Sequence, residues 1–167
     1  GSKYIIVDYA TAIPIVGKFY AVAKLSRNSP DKFFDIYYQM QGGMLRQVVV
    51  FFPEYYRSLL VRLYSFDGKQ VIPTSSAVIS CEARVTPYGQ PYKEITAAKS
   101  FSNYDEAEAY IAGQKSGNYR IVSTDPFFSP VPLEALEHYK LIYSSKGSRM
   151  MPNGGSIPEV KIFEYID

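Results

Sequence analysis

One histidine and one cysteine limit the chemistry that this chain could do unaided. His138 stands in a strand-like run and reads as a structural or surface histidine. Cys81 stands in an apolar strand-like run and reads as a buried, inert thiol. A lone cysteine excludes an internal disulfide and any zinc cluster built on thiolates. There is no glycine-rich phosphate loop, no His-Glu-x-x-His and no nucleophile elbow. Acids are plentiful enough that a two-carboxylate hydrolase is not excluded by counting. However, Asp105, Glu106 and Glu108 cluster at a helix start, where the helix dipole favours acids anyway. Lys18 and Val22 form a different kind of pair. They lie four residues apart in an apolar, helix-like run, so both project from one helix face.

The elements that would carry these residues follow from pattern and punctuation. Tyr4 to Val7 reads as a buried strand, and Pro14 and Gly17 break the chain before a helix over about 18–25. Ser29-Pro30 starts a second helical segment, Lys32 to Met40, which Gly42-Gly43 ends. Leu45 to Phe52 reads as a strand or extended arm. Pro53-Glu54 opens a helix carrying Tyr56, Leu59, Leu60 and Leu63, stopped by Asp67-Gly68. Val78 to Val85 and Tyr92 to Ala98 form a hairpin around Pro87-Tyr88-Gly89-Gln90-Pro91. Ser102-Asn103-Tyr104-Asp105 caps a helix over Glu106 to Gln114. Tyr119 to Ser123 is a strand, and Pro132 to Leu136 one helical turn or two. His138 to Ser144 and Val160 to Ile166 pair as a last hairpin. The expected fold is mixed α/β (α+β), with a kinked helix and a helical segment in the first half and antiparallel strands in the second.

Composition agrees with a globular domain and narrows its partners. The 167 residues are 47% hydrophobic and 20% charged, enough for a core without a staple. A net charge of +2, with scattered Lys and Arg, disfavours nucleic acid as the main partner. Sixteen Tyr and ten Phe without any Trp suit interfaces as well as cores. No stretch reaches the roughly 18 consecutive apolar residues of a membrane span. Gly1-Ser2 reads as a cloning scar before a single domain over 3–167. A chain that opens directly in a strand reads as an excised fragment, so missing spans say nothing of the parent.

Three segments resemble one family. Ser58-Leu59-Leu60-Val61-Arg62-Leu63 followed by Phe66-Asp67-Gly68 is similar to a helix-and-turn in the C-terminal domains of archaeal oligosaccharyltransferase catalytic subunits. Leu133 to Tyr143 with Val160-Lys161-Ile162-Phe163-Glu164-Tyr165 is similar to that family's closing hairpin. Tyr4 to Asp8, followed by Val16 to Val22, resembles a strand leading to a kinked helix with an Asp-x-x-Lys-x-x-x-Met/Ile motif. Lys18 matches the lysine and Val22 the apolar position, while the motif's acid falls on Ile15, a departure. Together the segments bracket Lys3 to Tyr165.

The resemblance implies a parent membrane enzyme that transfers a preassembled glycan from a dolichyl-linked phosphate donor to Asn in Asn-x-Ser/Thr. It also implies Mn²⁺ or Mg²⁺ in the full-length enzyme, held by acids outside this chain, and this domain on the extracellular face. Lys18 and Val22 would line the acceptor Ser/Thr pocket, because a hydroxyl needs a polar partner and a threonine methyl an apolar wall. No residue of the fragment is catalytic on this reading, and the fragment alone is inactive. Its length suggests the central core unit only, without an extra β-barrel module. The alternatives are a non-enzymatic extracellular binding module and a stand-alone two-carboxylate glycan-processing enzyme.

Overall fold

In the computed structural model the described residues are 3–9, 30–115, 118–147, 149–150, 156–157 and 159–167. They fall into two compact units. The first takes the described residues of 1–28, 57–71 and 133–167, and the second those of 29–56 and 72–132.

The first unit is a three-stranded antiparallel sheet with a helix. Its strands are β1 (Tyr4–Asp8), β7 (Tyr139–Ser144) and β10 (Val160–Tyr165), in the order β1-β10-β7, and a separate antiparallel pair, β8 (Arg149–Met150) and β9 (Ser156–Ile157), lies between β7 and β10 in sequence. The expected final hairpin therefore forms, with Tyr165 opposite Tyr139 and Lys161 opposite Ser144. The opening strand pairs with the last one, Tyr4 opposite Glu164 and Asp8 opposite Val160. Alternation along β1 turns Val7 inward and leaves Ile6 largely exposed. Val7 and Phe163 pack with Leu63 and Tyr64 of the helix Leu59–Phe66. That helix stops where the sequence says it should. Asp67 is left-handed at φ 55° and Gly68 at φ 68°, and the Gly68 N–H donates to the Arg62 carbonyl at 2.9 Å.

The second unit holds β2 (Phe34–Gln41), β3 (Met44–Phe51), β4 (Ser76–Val85), β5 (Pro91–Phe101) and β6 (Tyr119–Val122), in the order β3-β2-β5-β4-β6. All neighbours are antiparallel except β2 and β5, joined in parallel at Tyr38 and Glu94. The two edges meet at one point. Phe51 donates to the Ser123 carbonyl at 2.8 Å and accepts from the Ser123 N–H at 3.1 Å. The sheet thus closes on itself at one end, around Tyr37, Val50, Phe52, Ile79 and Val122. The Ser76 hydroxyl, buried, satisfies the Pro130 carbonyl at 2.6 Å.

The structure overturns the expected α+β layout. Among the described residues the α-helices are three and short: α1 (Pro53–Arg57), α2 (Leu59–Phe66) and α3 (Tyr104–Ala112). Strands fill both halves of the chain, not the second alone. The segment Lys32 to Met40 is no helix, because Phe34, Ile36, Tyr37 and Tyr38 all favour a strand. Gly42-Gly43 is a two-residue hairpin turn and not a mere helix stop. Both glycines have positive φ, 57° and 78°, as the turn that matches strand twist requires. Pro132 to Leu136 is also not helical; Leu133 instead exchanges two backbone hydrogen bonds with Val71, at 2.9 and 3.0 Å. Two sheets, the larger of five strands in the second unit, stand where the expected central core unit was led by helices. The expected kinked helix over 18–25 lies outside the described residues.

Two expected outcomes follow from these elements. Nothing lies within 4 Å of a Cβ built on Gly43, so Gly43→Ala tests backbone strain alone. It should cost about 1 kcal/mol, measured by urea denaturation, because an L residue resists positive φ. Burial is the main cause that pushes the Tyr37 hydroxyl up to about 12, with the Cys81 thiol and Asp35 adding to it and Arg120 opposing. Burial likewise raises Tyr56, whose hydroxyl donates to the Asp125 carbonyl at 2.6 Å. The unfolded chain then ionises these groups first. Their contribution to stability is intact below about pH 10 and declines as pH rises toward 12. Melting curves across that window, with phenolate absorbance, should show stability falling as Tyr37 and Tyr56 ionise.

Candidate functional site

Lys18, Val22 and Ile15 lie outside the described residues. The structure does place what leads to them. β1 ends at Asp8, and Tyr9 is the last described residue before 10–29. The Tyr9 ring meets the Tyr64 ring edge-on, with centroids 6.4 Å apart. Tyr64 is buried on α2, and its hydroxyl is pushed up in pKa by burial first, then by Glu159, Asp8 and Tyr9. The entrance to the segment with Lys18 and Val22 is thus fixed against α2.

A buried lysine organises this region. Lys161 of β10 is only 8% exposed and shares the inward face with Phe163. Its Nζ donates to the Tyr64 carbonyl at 2.6 Å and to Asp67 Oδ1 at 2.7 Å, and sits 5.3 Å from the Tyr64 ring centre. The last carbonyls of a helix have no partner within it, and a cation there is favoured by the dipole. Left-handed Asp67 brings its carboxylate to the same point, with Lys69 at 3.9 Å on the outer oxygen. The Phe66-Asp67-Gly68 turn, the Lys161 strand and the Tyr4–Asp8 strand are described parts of the three segments that carried the family resemblance. All three meet in the first unit.

The remaining candidates have structural roles. The His138 ring nitrogen Nδ1 lies 3.2 Å from the Ile166 carbonyl, and the ring stacks on Tyr165 at 5.8 Å. His138 also borders a 690 Å³ cleft with Arg62, Glu134 and Glu137, where Arg62 donates to the Glu134 carbonyl. Cys81 is partly buried in β4, beside the core of the second unit. The acid cluster caps α3: Asn103 accepts the Glu106 N–H at 2.9 Å, and Glu106 accepts from Ser102 and Asn103 side chains in return. Glu108 accepts the Tyr104 hydroxyl at 2.6 Å and, with Asp31, Glu54, Lys32 and Arg120, borders a 480 Å³ cavity. Arg120 lies over the Phe52 ring at 4.7 Å. Among the described residues no group of three or more His, Cys, Asp or Glu could hold a metal ion, and no helix is long and apolar enough to cross a membrane.

Sequence reasoning missed Lys161 as an organising residue. A signal existed: Lys161 alternates with Phe163 in a strand, on the side where an apolar residue is expected.

A comparison with curated proteins gives 33% identity over 101 residues with the dolichyl-monophosphooligosaccharide–protein glycotransferase AglB of Haloferax volcanii. The chain is AglB-like over that stretch. The match covers 58% of this chain but 9% of that relative, so the chain spans a small part of the protein it resembles. This is consistent with an AglB-like C-terminal domain, the kind of protein that the sequence motifs resemble. No family profile and no solved structure matches the chain.

The Lys161 contacts yield an expected outcome. Lys161→Met fills the space but leaves the Tyr64 carbonyl and Asp67 without their donor. It should cost about 2 kcal/mol, below the usual cost of breaking a fully buried pair, because water reaches Asp67. Asp67→Asn alone should cost less, and a double-mutant cycle by denaturation should show coupling between the two positions.

Proposed function

We propose that this chain is the C-terminal domain of an oligosaccharyltransferase that moves a lipid-linked oligosaccharide to Asn in Asn-x-Ser/Thr sequons. The observation that carries this reading is the similarity to AglB, a protein glycotransferase by name. It is supported by the joining of the three resembling segments in one unit through Lys161 and the β1-β10-β7 sheet.

On this reading the segment 10–29, entered from Tyr9, carries the acceptor-reading face. Lys18 would offer N–H donors to the hydroxyl of the sequon Ser or Thr, and Val22 an apolar wall for the threonine methyl. The acceptor polypeptide and the dolichyl-linked donor are the partners, the membrane part of the parent holds the donor, and this domain faces the extracellular side. A divalent Mn²⁺ or Mg²⁺ would act as Lewis acid toward the departing phosphate, held by acids outside this chain. The fragment's own share is acceptor recognition and scaffolding, so it should show no transfer alone.

The test uses the full-length parent and acceptor peptides with Asn-x-Thr or Asn-x-Ser. Lys18→Ala removes a charged donor, which should lower transfer efficiency roughly three- to tenfold. Val22→Asp should nearly abolish transfer, since a carboxylate must be desolvated beside the pocket. Glycopeptide yield, read with protein of unchanged melting, checks both. Wild-type yield from both variants would sink the assignment of this face, while an inactive wild-type parent would sink the family reading.

A further inference from the structure

The second unit carries a feature that the glycotransferase reading does not use: an apolar cavity with a cation at its mouth. The cavity measures about 230 Å³ and lies beside the seam that the Phe51–Ser123 bridge closes. Val48 and Val50 of β3 form one wall, Ile79 of β4 and Ile95 of β5 another, and Val122 of β6 a third. Ala77 and Ala98 belong to the same lining, and their small side chains set its width; leucines there would fill it. Apolar walls with a few polar groups at the mouth of a closed sheet are a common form of small-molecule site.

Arg46 sets the polarity of the mouth. It stands two residues before Val48 on β3, so strand alternation puts it on the cavity face. Its ladder partner on β2 is Gln39, which itself lines the cavity. Arg46 is exposed, and among the described residues its guanidinium takes part in no hydrogen bond or ion pair. No acidic side chain of the described residues lines the cavity; its polar groups, Gln39, Ser75, Ser123 and Thr124, are neutral. Aliphatic walls thus meet one uncompensated positive charge.

We propose that this cavity binds a single-chain carboxylate of about eight carbons, its chain against Val50, Ile79 and Val122 and its head on Arg46. Volume sets the chain length. An aliphatic cavity of about 150 Å³ holds benzene, so one of 230 Å³ takes a chain of about eight carbons. Charge sets the head group. One guanidinium matches the two oxygens and the single charge of a carboxylate. A phosphate monoester would bring a second negative charge that no cation of the lining meets, and an alkylammonium would set like charges together. The proposal stands independently of the glycotransferase reading.

The test titrates this 167-residue protein with hexanoate, octanoate, 1-octanol and octylammonium, each below its micelle-forming concentration, and reads methyl resonances. Octanoate should shift the methyls of Val50, Ile79 and Val122. It should bind about tenfold more tightly than hexanoate, since each buried methylene is worth about fourfold in affinity. Arg46→Gln should weaken octanoate about fivefold and leave octanol unaffected. Melting should not change, because Arg46 has no side-chain partner to lose. Arg46→Glu should reverse the order of octanoate and octylammonium. Ala98→Leu, which fills the cavity, should weaken every chain about tenfold or more. Should that variant fail to fold, nuclear Overhauser contacts from octanoate to Ile79 and Val122 in the wild type take its place. Absence of octanoate binding, equal binding of hexanoate and octanoate, or an equal effect of Arg46→Gln on octanoate and octanol overturns the proposal. So does a ligand-free, concentration-dependent shift of the same methyls, which would make the occupant a second copy.

Discussion

A lysine amine bonded to the end of a helix holds the first unit together. Lys161 reaches from β10 to the Tyr64 carbonyl and the Asp67 carboxylate, 97 and 94 residues away in sequence. Burying an ammonium is costly unless several polar atoms replace its water. Here a helix carbonyl, a carboxylate and an aromatic face do so together. The arrangement depends on Asp67 being left-handed, since only that conformation ends the helix and turns the carboxylate back toward the strand. The following Gly68 is equally constrained: its carbonyl accepts from Leu136 at 2.7 Å, and its φ of 68° is one that L side chains rarely adopt. A short turn thus ties α2, β10 and the segment before β7 into one body.

That body brings together described parts of the three segments whose motifs resemble the oligosaccharyltransferase family. They are distant in sequence, yet they contribute a strand, a helix end and a hairpin that fold against each other. The same body fixes Tyr9 against Tyr64, from which the chain continues toward Lys18 and Val22.

The second unit solves a different problem. Two hairpins, β2–β3 and β4–β5, each form locally around turns the sequence specifies, and a single parallel pairing at Tyr38 and Glu94 joins them. An ion pair between Lys93 and Asp35 and an edge-on contact of Tyr38 with Tyr92, at 5.6 Å, reinforce that junction. The abundant tyrosines are used here as core and junction residues. Tyr37, Tyr55 and Tyr56 are buried, which places apolar rings inside and leaves each hydroxyl to be accommodated, as Tyr56 is by Asp125.

Local chemistry made much of this legible in advance. Asp67-Gly68 stops α2, Asn103 caps α3, the β4–β5 hairpin turns at Pro87 to Pro91, and β7 and β10 pair as their alternation required. Each depends on residues near in sequence or on a strand period that does not vary. The family likeness was legible for the same reason, being carried by short motifs. What only the tertiary structure decided were choices between states that local pattern leaves nearly equal. Phe34 to Gln41 could be read as helix or strand, and pairing with Met44 to Phe51 and burial of Tyr37 settle it as a strand. Leu133 gave up a helical turn for the bridge to Val71. The Phe51–Ser123 closure and the Lys161–Asp67 contact join residues 72 and 94 positions apart, and nothing within either neighbourhood announces the partner. Sequence fixes which groups need a partner; the folded chain determines which distant group supplies it.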